Sequence, residues 1–294
     1  MKKLLLIVNP KSGKGQIKNH LLHIIDMFVK NDYDVTAYTT QATLDAKRKV
    51  LADGCRYDLI VCSGGDGTLN EVVSGIMEKG LNIPVGYIPA GSTNDFASSL
   101  HLPKNMKKSA EITMKGTPFL CDVGIFNDRY FNYVAAFGAF TIVSYATSQQ
   151  MKNVLGHQAY ILEAMKRFSS IKASHMIFSC DENVIEGDFI FGMITNSSSV
   201  GGFKNIIGQH VLLDDGLFEV TLIEKPKSAI EMQEILTALI MVDAKSDRVH
   251  VLKTSKLRIS SPEEIAWVLD GEYGGTPNTI TIENCKQALK IICS

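Results

Sequence analysis

The run Gly64-Gly65-Asp66-Gly67-Thr68 sets a carboxylate among glycines, between an apolar stretch and a helical pattern. Asp58 to Cys62 has the length and composition of a buried strand, and Leu69, Val72, Val73 and Ile76 recur along one face of a helix. Glycines let backbone N–H groups approach an anion, and the following helix directs its free N–H groups and positive dipole end at the same place. Asp66 would repel a bare phosphate unless a divalent cation lay between them. The chemistry expected of this turn is therefore the binding of a nucleotide with Mg²⁺. Taken alone, the pattern also suits a tight strand-to-helix turn in which Asp66 is only a cap.

Similar strand-loop-helix units flank it. Lys3 to Val8 is an apolar strand that stops at Asn9-Pro10-Lys11-Ser12-Gly13-Lys14-Gly15, ahead of a helix carrying Ile17, Leu21, Leu22, Ile24 and Ile25. This is not a Walker A loop, yet it sets Asn, Ser, Gly and Lys where phosphates could be held. Pro84 to Pro89 runs into Ala90-Gly91-Ser92-Thr93-Asn94-Asp95-Phe96. If the strands are parallel, right-handed crossovers bring all these loops to the carboxyl edge of one sheet, where open α/β folds bind ligands.

Asn9 to Gly13, Gly64 to Glu71 and Gly91 to Phe96 together resemble the diacylglycerol kinase catalytic family, which includes sphingosine and ceramide kinases. The resemblance spans nearly the whole chain. Leu212-Leu213-Asp214-Asp215-Gly216-Leu217 is similar to the family's second-domain metal loop, and Asp270-Gly271-Glu272 to its late signature. Val268 to Gly275 most resembles the soluble diacylglycerol kinases of Gram-positive bacteria.

Length and composition fit a two-domain enzyme. At 294 residues the chain is long for one core, and 45% hydrophobic content is ample for two. No apolar run approaches the roughly 18 residues of a membrane span. Met1 to Val8 reads as a first strand, since its apolar part ends too soon for a secretory signal. The cysteines Cys55, Cys62, Cys121, Cys180, Cys285 and Cys293 include no CxxC pair, which suggests reduced thiols in a cytoplasmic protein. His20 and His23 lack a third metal ligand and read as a partly exposed helix face. A net charge of −1 and a pI near 6.7 argue against nucleic acid as a partner. Membrane contact must then be local. Candidates are Lys104, Lys107 and Lys108, and the amphipathic segment Tyr160 to Phe168 with Lys166 and Arg167; each would serve equally as a solvated face.

The pattern changes near Cys121. After it come short apolar and β-branched runs, at Tyr130 to Ala136, His175 to Ser179, Phe189 to Thr195, Phe218 to Ile223, Lys256 to Ser260, Ala266 to Leu269 and Thr279 to Ile282. Helical patterns interrupt them at Tyr160 to Phe168 and Ser228 to Val242, and Gly201-Gly202-Phe203 reads as a loop. The expected fold is an N-terminal α/β three-layer nucleotide-binding domain plus a second domain that is a mostly antiparallel β-sandwich. Residues 1–121 would form the first and residues 122–285 the second, lipid-binding one; the resemblance implies that residues 286–294 return to the first.

The resemblance also assigns roles. Glu272 would be the base that takes the proton of a lipid hydroxyl, although by composition it suits an exposed turn residue. Asp66, Asp95 and Asp122 would share Mg²⁺, and Lys14 would neutralise phosphate charge. ATP would be held by Asn9, Pro10, Lys11, Ser12, Gly13, Thr40, Gly65, Asp66, Gly67, Thr68, Leu69, Asn70, Glu71 and Ser92. A second cation would sit on the Asp215 carboxylate and the main-chain oxygens of Leu212 and Leu217, in a loop that would serve equally as a hairpin turn. The family commonly has Arg or Lys shortly after Asn-Asp-Phe, whereas here Ala97-Ser98-Ser99 follows; Lys166, Arg167 or Arg129 are the candidate replacements. The expected reaction is ATP-dependent phosphorylation of diacylglycerol to phosphatidic acid, by a protein peripheral to the inner membrane face. A homodimer is compatible with it. Alternatives are a kinase of phosphatidylglycerol or a sphingoid base, an NAD kinase, or a nucleotide- or lipid-binding regulator without activity.

Overall fold

The computed structural model describes residues 1–138, 172–180, 183–197, 211–240 and 246–294. Strands β1 (Lys2–Val8), β2 (Tyr33–Thr39), β3 (Leu59–Gly64) and β4 (Val85–Pro89) pair in parallel in the spatial order β2-β1-β3-β4. Helices α1 (Leu21–Lys30), α2 (Asp45–Asp53), α3 (Asp66–Lys79), α4 (Asp95–Ser99) and α5 (Met106–Lys115) accompany them. Because successive strand side chains point to opposite faces, Leu4, Leu6 and Val8 pack with Ile24 and Phe28 of α1 and Ala110 of α5. Leu5 and Ile7 pack on the other face with Val50 of α2 and Val72 and Val73 of α3. The result is a three-layer α/β unit. Since β2 and β3 flank β1, the loops after β1 and β3 leave side by side, which is the switch point where such sheets bind ligands.

Leu22, expected on the apolar face of the first helix, is 80% exposed. A 3-10 turn at Gln16–Asn19 precedes α1 and turns Ile24 and Phe28 inward instead.

The second half contains β5 (Thr117–Phe126), β6 (Arg129–Phe131), β7 (Val134–Gly138), β8 (Ser174–Cys180), β9 (Asn183–Thr195), β10 (Phe218–Glu224), helix α6 (Ala229–Ile240), β11 (Val249–Thr254), β12 (Lys256–Ser260), β13 (Trp267–Leu269), β14 (Glu272–Gly275) and β15 (Thr279–Cys293). The pairings among these strands are antiparallel. Their core is aromatic: Phe137 packs against Trp267 at 4.9 Å between ring centroids, and Phe178 against Phe189 at 4.9 Å. The strand expected over Tyr130 to Ala136 is broken at Asn132 and Tyr133, whose N–H groups turn to the Asp270 carboxylate. The Tyr160 to Phe168 segment, Lys166, Arg167, the Gly201-Gly202-Phe203 loop and Val242 lie outside the described residues. Among the described residues no helix is long and apolar enough to cross a membrane.

One strand ties the halves together. β15 pairs with β12 through Thr279 to Glu283, with β5 on both sides of an irregularity between Cys285 and Leu289, and in parallel with β4 at Ile291 and Val85. Divisions at 121/122 and 285/286 therefore fall inside two strands that run from one half into the other.

This ribbon should carry stability for both halves. Ile291 is fully buried. Ile291→Ala should lower folding stability by about 2–5 kcal/mol, whereas Leu22→Ala should change it by at most about 0.5 kcal/mol. Denaturant unfolding followed by circular dichroism checks both.

Candidate active site

Three loops at the carboxyl edge approach so closely that side chains are excluded between them. Gly13 has φ +53°, and a Cβ there would lie 2.5 Å from the Ala90 carbonyl oxygen. A Cβ on Gly91 would lie 2.6 Å from the Gly65 Cα. Hydrogen bonds hold the approach. Gly65 N–H donates to Ser12 Oγ at 2.8 Å, and Asn9 Nδ2 donates to Thr68 Oγ1 at 2.9 Å. Asn94, itself left-handed at φ 55°, closes the third loop: its Oδ1 accepts the Gly91 N–H at 2.9 Å and its Nδ2 donates to the Gly91 carbonyl at 2.9 Å.

Carboxylates gather at this junction. Asp66 opens α3, and its oxygens accept the N–H groups of Asp95 at 3.2 Å and Phe96 at 3.4 Å, so it caps α4 from another loop. Burial pushes its pKa up to about 6, the neighbouring Asp95 charge adds to the rise, and the N–H bonds oppose it. Asp95 is itself 4% exposed. From the second half, Glu272 stands exposed at the start of β14, and a methyl group on Gly67 would lie 2.6 Å from its Oε1. The fold thus carries Glu272 across about two hundred positions of sequence to the first turn of α3. Glu71, one turn further on, caps α2 by accepting the Leu44 N–H at 2.8 Å and the Ala46 N–H at 3.0 Å; burial raises its pKa, and the charge of Glu272 is among the further causes.

Such a group of carboxylates calls for a cation. Among the described residues no cluster of three or more His, Cys, Asp or Glu is placed to hold a metal. Asp66 and Asp95 would supply a minority of the ligands, leaving phosphate and water to supply the rest. That donor set suits Mg²⁺, which keeps several waters and is bound through one or two carboxylates plus phosphates.

Asp122 has different partners. Fully buried, it accepts the Gly216 N–H at 2.6 Å and the Gln287 N–H at 2.7 Å, and so anchors the Leu212 to Leu217 loop against β15. In that loop Asp215 accepts the Leu217 N–H at 2.9 Å, and its other oxygen lies 3.8 Å from Lys253 Nζ. A cation there would share Asp215 with an ammonium group already present.

The remaining nucleotide-contact candidates divide by position. Pro10, Lys11, Lys14 and Ser92 are exposed at the loops, Thr40 follows β2 with its N–H on the Val8 carbonyl, and Leu69 is buried on the inner face of α3. The Asn70 amide reaches into the second half, donating to the Tyr130 carbonyl at 3.0 Å and to Asp270 Oδ2 at 2.8 Å. Arg129 donates to the Tyr273 carbonyl at 3.0 Å, next to Glu272. Ser99 bonds Ser197 at 2.7 Å between Oγ atoms in a buried setting. The structural parts played by Asn94 and Asp270 were not anticipated. Asn94 had a local signal, an Asn three residues after a loop glycine; Asp270 stood in the Asp270-Gly271-Glu272 signature, but nothing local marked its partners in the other half.

Comparison with known proteins shows the family of the chain. Residues 3–125 match the family profile of the diacylglycerol kinase catalytic domain, and residues 134–293 that of the YegS C-terminal NAD kinase beta sandwich-like domain. A diacylglycerol kinase of Staphylococcus aureus is 35% identical over 279 residues, covering 93% of this chain and 87% of that protein. One from Staphylococcus saprophyticus is 33% identical, covering 93% and 90%. A crystal structure of a diacylglycerol kinase from Bacillus anthracis matches with TM-score 0.77 at 23% identity, over 100% of this chain and 97% of that one. Another structure from that organism reaches 0.82 at 24%, with the same coverage. At these identities the structures show the fold alone.

The raised pKa of Asp66 has a measurable sign. With the value near 6, about half of the Asp66 side chains carry a proton at pH 6 in the free protein. A bound cation requires the carboxylate form, so Mg²⁺ with ATP should release about half a proton at pH 6 and almost none at pH 8. Titration calorimetry in buffers of different ionisation enthalpy reads the release, and Asp66→Asn should remove it.

Proposed function

Since the chain belongs to the diacylglycerol kinase family, an enzyme family of phosphotransferases, we propose that it transfers the γ-phosphoryl group of ATP to the free hydroxyl of diacylglycerol, forming phosphatidic acid. The observation that carries the reading is the approach of Glu272 to Gly67, which puts an exposed carboxylate from one half beside the glycine loops of the other. A lipid hydroxyl is a poor nucleophile at neutral pH. In this reading Glu272 accepts its proton while the hydroxyl oxygen forms the bond to the γ-phosphorus and the bond to the ADP oxygen breaks.

The phosphates lie against the Asn9 to Gly13, Gly65 to Thr68 and Ser92 segments, where glycines leave room and the first turn of α3 offers its N–H groups. Asp66 and Asp95 hold Mg²⁺, directly or through water, and the ion supplies charge neutralisation on the phosphoryl oxygens when bound. Lys14, exposed on the first loop, adds a mobile positive charge. Asp122 acts from its place under the Leu212 to Leu217 loop, fixing the segment whose Asp215 carboxylate and Leu212 and Leu217 carbonyls would hold a second cation. Arg129 is the described basic residue nearest in its bonding to Glu272, and takes the place left by the missing base after Phe96.

The acceptor reaches this site from a bilayer. Tyr273, 65% exposed, is adjacent to Glu272, and Leu44, 52% exposed, has its N–H on Glu71. Both are exposed apolar side chains available for contact with a bilayer, on a protein peripheral to the inner face of the membrane.

The lipid identity is tested by incubating the protein with labelled ATP, Mg²⁺ and mixed micelles of diacylglycerol, phosphatidylglycerol or a sphingoid base, with NAD as soluble comparator. Diacylglycerol should be labelled fastest. Preferential labelling of another acceptor would replace it as the substrate.

The base is tested separately. Glu272→Gln preserves shape and should leave ATP affinity within about two-fold, while turnover falls by about 10²- to 10⁴-fold. Turnover near that of the unmodified enzyme would remove Glu272 from the role.

A further inference from the structure

Two residues before Glu272, the Asp270 carboxylate is wholly enclosed, with 4% of the residue exposed. It accepts four hydrogen bonds. The N–H groups of Asn132 at 2.6 Å, Tyr133 at 3.0 Å and Val134 at 3.1 Å come from the break between β6 and β7, and Asn70 Nδ2 at 2.8 Å comes from α3 in the other half. The backbone is bent to suit: Asp270 has φ 49° and Gly271 φ 87°, and the Asp270 N–H donates to the Val134 carbonyl. A non-glycine residue in the left-handed region persists only where its surroundings over-determine it. Here they do, because the carboxylate satisfies a row of N–H groups that would otherwise be buried without partners.

The position of this turn matters because of what lies on either side of it. Asn70 is one helical turn after Asp66 and Gly67 on α3, so its amide is rigidly connected to the phosphate-binding end of the first half. Glu272 is the first residue of β14, connected to Asp270 through Gly271 alone. The Asn70 amide also donates to the Tyr130 carbonyl, so it holds both β6 and the Asp270 turn.

We propose that Asp270 and Asn70 form a latch between the two halves that positions Glu272 over Gly67. This rests on the reading of Glu272 as the base. Asp270 touches neither substrate nor reacting atoms in this proposal; it is a positioning residue, and Asn70, which the family resemblance makes a nucleotide contact, is its partner across the interface.

Asn70→Ser removes the amide while leaving the bonds from the Asn132, Tyr133 and Val134 N–H groups to Asp270 intact, so the protein should fold. The latch predicts that kcat falls at least about five-fold while KM for Mg·ATP stays within about two-fold, the signature of a lost transition-state arrangement. In the Glu272→Gln background the same substitution should cause no further loss, because no base remains to be positioned. A KM increase with kcat intact would make Asn70 a nucleotide contact and overturn the latch, as would full additivity with Glu272→Gln. Asp270→Asn should act in the same direction and more strongly.

A measurement without chemistry keeps the two readings separable. In a Gly67→Cys/Glu272→Cys variant, the rate of disulfide formation under mild oxidation reports how often the two positions meet. Asn70→Ser should slow it at least about five-fold if the latch holds. A slowed crosslink together with a fully active Glu272→Gln enzyme would sustain the latch and reject the base. An unchanged crosslink rate would reject the latch whatever Glu272 does.

Discussion

The absence of a Cβ at Gly13, Gly65 and Gly91 is the constraint on which the site depends. Parallel strands deliver three loops to one edge, but an edge alone does not bring backbone within contact of backbone. With Gly91 against the Gly65 Cα and Gly13 against the Ala90 carbonyl, the loops become one surface of main-chain atoms. Side chains then reinforce contacts that the glycines permit, with Ser12 accepting from Gly65 and Asn94 folding the third loop on itself. A main-chain surface of this kind presents N–H dipoles in fixed directions, which suits ligands whose charge is spread over several oxygens.

That closeness has an electrostatic consequence. Asp66, half-buried, lies beside the buried Asp95, and two N–H groups oppose the desolvation that raises the Asp66 pKa to about 6. The sign follows from the raised value. Below about pH 4 the proton is present in folded and unfolded chains alike, and the favourable contribution to folding is complete; it is lost as pH rises toward 6, where only the folded state still holds the proton. At neutral pH, then, the ionised Asp66 carboxylate works against stability, and a divalent cation beside it would offset that charge. A site assembled for function is expected to be strained in this way.

Local pattern and long-range geometry were unequally legible in the sequence. Strand β1, the Gly64 to Thr68 turn and α3 were readable because period, composition and turn residues act over a few positions. Leu22 misled because apolar spacing says which residues share a face without saying where a 3-10 turn hands over to α1. Strands β11 and β14 escaped notice, one carrying His250 and Lys253 and the other half glycine, since each is defined by its partner strand more than by its own residues. Glu71 could be quoted in a motif, but its bonds to Leu44 and Ala46 depend on how α2 meets α3. The Asn70 to Asp270 bond spans two hundred positions, and nothing at either end marks the other.

The halves are held together in two different ways, and the difference bears on how such an enzyme can turn over. β5 and β15 cross from one half to the other as a paired ribbon, and the core around Val72 and Val73 continues into Tyr133, Val134 and Met193. Ladder bonds and apolar contacts of that sort are numerous, and they resist large hinge motion. Among the described residues, the polar contacts between the halves near the mouth are Asn70 on Asp270 and Tyr130 and Ser99 on Ser197, with Glu272 against Gly67. A rigid spine with a thin polar seam allows small opening at the seam without loss of register in the sheet. In the proposed reaction a lipid hydroxyl enters between Glu272 and the phosphate-binding loops, and its phosphorylated product leaves by the same route. Among the described residues, the enclosed Asn70 and Asp270 bonds stand beside that passage, and the apolar contacts lie where movement would be costly.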